Sequence, residues 1–299
     1  MGQLSHRSRP EARAALLFAF PALFTLAVFF FLPVLAAFVM SLSDFDVYSL
    51  ADFRRARFVL FGNYARLFHD PLFWKATLNT LYFVAVAGPV TILLALACSL
   101  LLNSERLRGE QFFRLAVFLP VVTNMVAVAI VWRYLYHPHF GLINYGLRIL
   151  GLQPVDWLGD PRLAMPAIIV LAVWKNFGYH TLIFLAGLQT IPEDLYHAAR
   201  IDGASWLQQQ IHVTLPQLSR TVGFVALLTA IGYLQLFAEP YVMTQGGPLN
   251  ATLSLVLYLY QQGFRWWRMG YSASIAFVLF ALMLVAGSAQ FLLRRAERL

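Results

Sequence analysis

Residues 14–40 read Ala-Ala-Leu-Leu-Phe-Ala-Phe-Pro-Ala-Leu-Phe-Thr-Leu-Ala-Val-Phe-Phe-Phe-Leu-Pro-Val-Leu-Ala-Ala-Phe-Val-Met, without one charged side chain. About 20 apolar helical residues cross the hydrocarbon core of a bilayer, so this stretch is long enough to span with tilt to spare. It is also far longer than the roughly 7–15-residue core of a secretory signal. Arg7, Arg9 and Arg13 before it therefore read as the flank of a retained first helix. Pro21 and Pro33 are tolerable inside it, because membrane helices re-satisfy freed carbonyls locally.

Working outward, four further uncharged blocks follow, at 76–103, 115–132, 221–238 and 269–293, and the block at 163–188 is interrupted only by Lys175. The expected fold is an all-α integral membrane protein with a single transmembrane domain over 1–299. Six spans are expected, at about 14–40, 76–103, 115–134, 163–188, 219–240 and 269–293. Residues 251–260 are apolar but too short to cross, so a helix at the outer surface or packed on the bundle is expected there. The longest extramembrane segment is 41–75. Composition agrees: the 299 residues are 60% hydrophobic and 12% charged, about half the charged fraction of a soluble domain. The net charge of +8 does not point to nucleic acid, since the Arg residues flank apolar blocks and gather on no soluble domain. The one cysteine, Cys98, excludes an intrachain disulfide and a cysteine-based zinc cluster.

Six spans put both termini on one side. With the termini inside, the inner segments hold eleven basic residues (Arg7, Arg9, Arg13, Arg106, Arg108, Arg114, Arg200, Arg220, Arg294, Arg295, Arg298). The outer segments hold ten (Arg54, Arg55, Arg57, Arg66, Lys75, Arg133, Arg148, Arg162, Arg265, Arg268), so this count decides almost nothing. The flanks of the first helix, Arg before it and Asp44 and Asp46 after it, lean toward cytoplasmic termini.

Between the fourth and fifth spans lies Thr190-Ile-Pro-Glu-Asp-Leu-Tyr-His-Ala-Ala-Arg-Ile-Asp-Gly-Ala-Ser-Trp-Leu-Gln-Gln-Gln-Ile-His-Val-Thr-Leu-Pro216. Thr190 and Glu193 have capping-box spacing with Pro192 in the first turn, so a helix is expected to start here. Leu195, Ala198, Ala199 and Ile201 or Asp202 give it a small or apolar face. Gly203 is expected to end it in the left-handed conformation. A second short helix with Trp206, Leu207 and Val213 follows, and Pro216 opens the next span. The expectation is a helix–turn–helix on the membrane surface, with small residues offered to another surface. An amphipathic connector resting on lipid would explain the apolar face, but not the Ala198-Ala199 pair or the Asp202-Gly203 break.

This loop resembles the signature of the membrane subunits of binding-protein-dependent ABC importers, in the maltose-type branch for sugars, polyols and glycerol phosphate. That signature runs Glu-Ala-Ala, two residues, Asp-Gly-Ala, five residues, an aromatic, two residues, Ile, one residue, Leu-Pro. Ala198, Ala199, Asp202, Gly203, Ala204, Leu215 and Pro216 match in spacing. His197 stands where Glu is expected, Gln210 where the aromatic is expected, and Val213 replaces Ile. The likeness extends to Phe61-Gly-Asn-Tyr-Ala-Arg-Leu-Phe-His-Asp-Pro71, Phe73-Trp74, Asn79-Thr80-Leu81, Trp132, Gly141-Leu-Ile-Asn144, Trp157-Leu-Gly159, Trp174-Lys175 and Met243-Thr-Gln-Gly-Gly-Pro248 with Thr252.

The resemblance implies a permease subunit in a bacterial inner membrane. It would pair with a second, homologous permease and receive solute from a periplasmic or lipid-anchored binding protein. Two copies of a cytosolic ABC ATPase would grip the loop at His197, Ala198, Ala199, Asp202, Gly203, Ala204, Leu207 and Pro216. ATP and magnesium would belong to that ATPase, with no cofactor on this chain. The sequence indeed has no phosphate loop of the GxxxxGK[ST] type, so it is expected not to be an enzyme. The resemblance places solute contacts on the fourth and fifth spans, where Phe177, Gly178, Thr181, Gly232, Tyr233 and Leu236 fit best, and Gln235 and Glu239 are further contributors.

Lys175 carries two readings. Charges inside spans usually face a bundle interior or a wet cavity, which would put Lys175 on a solute path beside Asn176, Tyr179 and Thr181. Alternatively it pairs with a helix end or snorkels outward. Asn124, after Pro120, is expected to bond a neighbouring helix. His137 and His139 flank Pro138 in an outer loop and, without a carboxylate nearby, form a turn and not a metal site. A stand-alone secondary transporter would need coupling-ion carboxylates within spans, where only Glu239 lies near one. An intramembrane sugar or lipid transferase would need an acid/base or metal constellation, and no such cluster or HExxH or GxSxG pattern occurs.

Overall fold

A backbone inside a bilayer must pair its own N–H and C=O groups, so apolar blocks of this length fold as helices. The computed structural model describes residues 9–50, 52, 56–104 and 109–296. Arg7, Arg54, Arg55, Arg106, Arg108 and Arg298 of the charge comparison lie outside them. Among the described residues there are helices, turns and one isolated bridge between Ser43 and Phe58.

The chain divides into two compact units, Met1–His69 with Gln261–Phe277, and Asp70–Tyr260 with Val278–Leu299. In the first, α1 (Arg9–Leu26) runs through a π-helical turn at Ala27–Phe31 into α2 (Leu32–Ser41), and α3 (Gly62–Phe68) follows the outer segment. Asn63 fastens the end of α2, its Nδ2 donating to the Ser41 and Ser43 carbonyls at 2.9 and 2.8 Å. This is the physical content of the Phe61–Tyr64 stretch.

In the second unit, α4 (Pro71–Leu102) starts on an Asp70 N-cap with Pro71 in the first turn. Then come α5 (Glu110–Val122), α6 (Met125–Leu135), α7 (Leu142–Ile149), α8 (Ala164–Leu188), α9 (Glu193–Ile201), α10 (Trp206–Gln209), α11 (Leu215–Leu234), α12 (Ala238–Met243) and α13 (Leu255–Tyr260). The last helix is α14 (Met269–Ala296).

Among the described residues, five helical stretches are long and apolar enough to cross a membrane, and six if α5 with α6 is one broken span. The third span expected at 115–134 falls on that pair, and α5 and α6 meet there at 97°. The break falls at Thr123 and Asn124. Asn124 does not reach a neighbouring helix as expected; its Oδ1 caps α6 by accepting from Val126 N and Ala127 N. Residues 255–260 pack on α4 as a buried helix, with Leu255 and Leu257 fully enclosed.

The core of this unit is α8. In its most apolar window 61% of residues are buried, against 28% for α4. It packs on α4, α5 and α11, and α11 also packs on α4. Threonines inside these helices are satisfied within their own turn: Thr77, Thr80, Thr91 and Thr229 each donate to the carbonyl four residues back. Loops are held by buried side-chain amides. Asn144 Nδ2 donates to Pro138 and Val155 carbonyls, while its Oδ1 accepts from Val155 N and Trp157 Nε1.

Candidate functional site

Two places carry the features that the sequence singles out. The first is the loop at 190–216. Its first helix does not form the expected capping box. Thr190 Oγ1 donates instead to Gly187 O at 2.7 Å, closing the end of α8, and Pro192 occupies the N-cap of α9 without a side-chain cap bond. The stop is as expected: Gly203 has φ +76°, with Gly203 N donating to Arg200 O and Ala204 N to Ala199 O. A reciprocal capping box occurs where none was expected, between Ser205 and Gln208. The second helix is also not separate: α10 passes through a π-helical stretch at Gln210–Thr214 directly into α11. The turn is thus joined to a span by continuous helix, and Tyr196 OH with Thr214 Oγ1 at 3.0 Å ties α9 to that stretch.

Ala199, Asp202, Gly203, Ala204, Gln208, Gln209, His212 and Val213 line a groove of about 300 Å³ on this loop. Around it Ile201, Trp206 and Leu207 are exposed, Ile201 at 86%. His197 and Ala198 are exposed on α9, and Pro216 on α11. His197 Nδ1 contacts Arg200 Nη2 at 3.4 Å.

The second place is a cavity of about 500 Å³ between α8 and the α11–α12 segment. Asn176, Tyr179, His180, Leu228, Thr229, Gly232, Tyr233, Gln235, Leu236, Phe237, Ala238 and Glu239 line it. Of the residues expected on a solute path, Asn176, Tyr179, Gly232, Tyr233 and Leu236 share this wall. Tyr233 stands edge-on to Phe83, and its hydroxyl donates to Thr91 Oγ1 at 2.7 Å, since the Thr91 proton is committed to Ala87 O. Phe237 stacks on Tyr241, ring centroids 5.1 Å apart.

Four expected path residues lie elsewhere, each for a packing reason. Phe177 packs with the Ala95, Phe184 and Val225 cluster. Gly178 faces α5, where an added Cβ would stand 2.1 Å from Val117 O. Thr181 is fully buried and bonds Phe177 O and Ala95 O. Lys175 is buried, and its ammonium donates to the Pro120, Val121 and Thr123 carbonyls at 2.8, 3.1 and 2.9 Å. It serves the C-terminal end of α5, where carbonyls lack helical partners. His180 and Thr229 belong to the cavity wall and were not singled out in the sequence; a histidine within a span was the available signal. Among the described residues no group of His, Cys, Asp and Glu is arranged to hold a metal. His137 forms a turn, its Nδ1 accepting from His139 N and Phe140 N.

The lactose transport system permease protein LacF of Rhizobium radiobacter is 35% identical over 287 residues, covering 94% of each chain. The trehalose/maltose transport system permease protein MalF of Thermococcus litoralis is 39% identical over 247 residues, covering 83% of this chain and 82% of that one. The fold matches a crystal structure of a bacterial alginate ABC transporter in complex with an alginate pentasaccharide-bound periplasmic protein, at TM-score 0.77 and 22% identity over 93% of both chains. Residues 14–299 match the model of the binding-protein-dependent transport system inner membrane component, and the chain belongs to that family of ABC importer permeases.

Proposed function

We propose that this chain forms one half of the translocation path of a sugar importer, beside a second homologous permease. A periplasmic or lipid-anchored binding protein delivers the sugar to the outer mouth. Two copies of a cytosolic ATPase, carrying ATP and magnesium, engage the 190–216 loop and its counterpart, and both termini of this chain lie in the cytoplasm. The cavity wall on α8 and α11 meets the sugar during passage. The observation that carries the reading is the loop itself. A left-handed turn at Gly203 joins two helices whose exposed Ile201, Trp206 and Leu207 surround a groove. The π-helical continuation into α11 gives a push on that groove a continuous helical route to the cavity wall. A sugar cargo is supported by the relatives whose names specify lactose and trehalose/maltose.

The test is co-purification through a tag on this chain, beside ATP hydrolysis by the purified chain alone. The ATPase is expected to follow the tag, and the isolated chain to hydrolyse no ATP. Hydrolysis by this chain, free of contaminating ATPase, would overturn the reading.

A further inference from the structure

We propose that Arg265 and Arg268, with the exposed rings of Trp266 and Trp267 between them, hold the phosphate headgroup of an anionic phospholipid at the membrane surface where α14 begins. The turn that carries them ends one residue before that span, since α14 starts at Met269. Its backbone is fixed: Trp266 N donates to Gln261 O at 3.0 Å, Arg268 N to Gln262 O at 2.9 Å, and Ser272 N to Arg268 O at 2.9 Å. Gly270 N donates to Phe45 O at 2.8 Å, which ties the start of α14 to the chain just beyond the end of α2 at Ser41. One apolar stretch thus ends and another begins at this level, within a single compact unit.

A backbone held this firmly could have turned its rings inward. Instead Trp266 is 65% and Trp267 48% exposed, and both arginines are exposed. Trp267 also stands at φ +57°, a conformation costly for a bulky side chain. Such strain persists only where the surrounding structure imposes it, and it clusters at ligand clamps. Among the described residues, neither the Arg265 nor the Arg268 side chain has a hydrogen bond or an ion pair. The carboxylates of the tied segment are engaged elsewhere, Asp44 with Arg66 at 3.7 Å and Asp46 with the Ser49 hydroxyl at 2.8 Å. Indole rings settle at the headgroup level of a bilayer, because one end is apolar and the N–H end seeks a polar partner. Guanidinium forks match a phosphate with paired N–H donors and are weakly hydrated. A lipid of net negative charge answers both free cations, whereas a zwitterionic one brings its own cation. That charge complementarity, beside a span, commits this surface to an anionic phospholipid.

The test uses the transporter assembled with its own partner subunits, in detergent, titrated with phosphatidylglycerol or with phosphatidylcholine. Bound lipid is counted by native mass spectrometry, with thermal unfolding alongside. Wild type is expected to bind phosphatidylglycerol the more tightly and to unfold several degrees higher in its presence. The double variant Arg265→Gln with Arg268→Gln is expected to bind phosphatidylglycerol roughly ten- to thirtyfold more weakly, the size of two basic contacts at a membrane surface. Its unfolding temperature in phosphatidylcholine should match wild type, because neither side chain has an internal partner to lose. High salt should shrink the preference for phosphatidylglycerol in wild type. Brominated phosphatidylglycerol should quench tryptophan fluorescence less in Trp266→Phe than in wild type; equal quenching would place the ring away from the lipid and overturn the proposal. Equal affinity of wild type for the two lipids, or phosphatidylglycerol binding unchanged in the double variant, would also overturn it. So would an unfolding temperature lowered equally in both lipids, the sign of a purely structural role. Loss of the partner permease or of the solute-binding protein from the double variant in a pull-down would make this surface a protein interface, and the lipid assignment would fall.

Discussion

The loop at 190–216 and the cavity between α8 and α11 are made in opposite ways. The loop is contiguous, exposed and shaped by backbone, with one residue at positive φ deciding its turn. The cavity is assembled from side chains about 50 positions apart in sequence, brought together by the packing of α8 on α11. A contiguous turn fails all at once when its one special residue is changed. A wall built from many side chains fails by degrees, and some of its expected members turn out to hold helices together.

The largest effect is expected at Gly203. Its φ of +76° costs a residue with a Cβ about 1–2 kcal/mol, and a β-branched side chain is the worst case. Beyond its two chain neighbours, no atom of the described residues lies within 4 Å of an added Cβ, so only the turn and an approaching partner feel the change. Gly203→Val should insert in the membrane and pair with its partner permease, yet retain no ATPase in a pull-down and take up no solute. If the Val variant holds the ATPase as wild type does, the loop is not the docking site.

Gly178 and Gly232 sharpen the contrast within the spans. Both were expected on the path, but Gly178 meets α5 while Gly232 opens on the cavity. Gly178→Ala must push α5 away from Val117 O, an overpacking cost of about 1–3 kcal/mol, and its unfolding temperature should drop by several degrees. Gly232→Ala meets no atom of the described residues within 4 Å outside its own helix backbone and should unfold as wild type does. Equal unfolding temperatures for the two variants would contradict the assigned packing.

Lys175 comes next. Lys175→Met keeps most of the stem but takes the ammonium away from three carbonyls at the α5 end, of which Pro120 O keeps a donor in Thr123 Oγ1 and the Val121 and Thr123 carbonyls lose theirs. A buried unsatisfied acceptor costs roughly 1–3 kcal/mol, so both unfolding temperature and transport should fall, with membrane insertion retained. Normal stability together with lost transport would instead place the ammonium on the solute path.

Most of the fold was legible because the bilayer demands long uncharged helices, and composition alone exposes them. The third span was not, since hydropathy is blind to direction. Pro120 and Asn124 are visible, but the carbonyls at the 97° bend also meet Lys175, 52 positions or more along the chain, a partner no local pattern names. In the loop, Asp202-Gly203 was readable because a left-handed stop has a residue signature. The Thr190–Glu193 spacing gives no capping box because the Thr190 hydroxyl has a competing acceptor, Gly187 O, in the preceding helix. On the cavity wall, residue types were readable and their facing was not. Thr181 and Tyr179 are two positions apart on α8, yet one is sealed against α4 and the other half open.

The smallest expected effect returns to the loop, at His197. Arg200 can only donate, so its contact at 3.4 Å makes His197 Nδ1 the acceptor and leaves the proton on Nε2. The exposed imidazole therefore offers an N–H donor where the family signature has a carboxylate acceptor. Such a contact lies at the rim, with water competing, and exposed polar pairs contribute about 0.2–1 kcal/mol. Arg200 does not depend on it for position, because its Nε also donates to Tyr196 O. His197→Ala should thus weaken solute uptake a few-fold while the ATPase still co-purifies, unlike Gly203→Val. His197→Gln, which keeps a donor at similar reach, should lie between Ala and wild type. Uptake unchanged in the Ala variant would mean that this position has dropped out of the contact, leaving the turn at Gly203 and the apolar rim of Ile201, Trp206 and Leu207 to hold the partner.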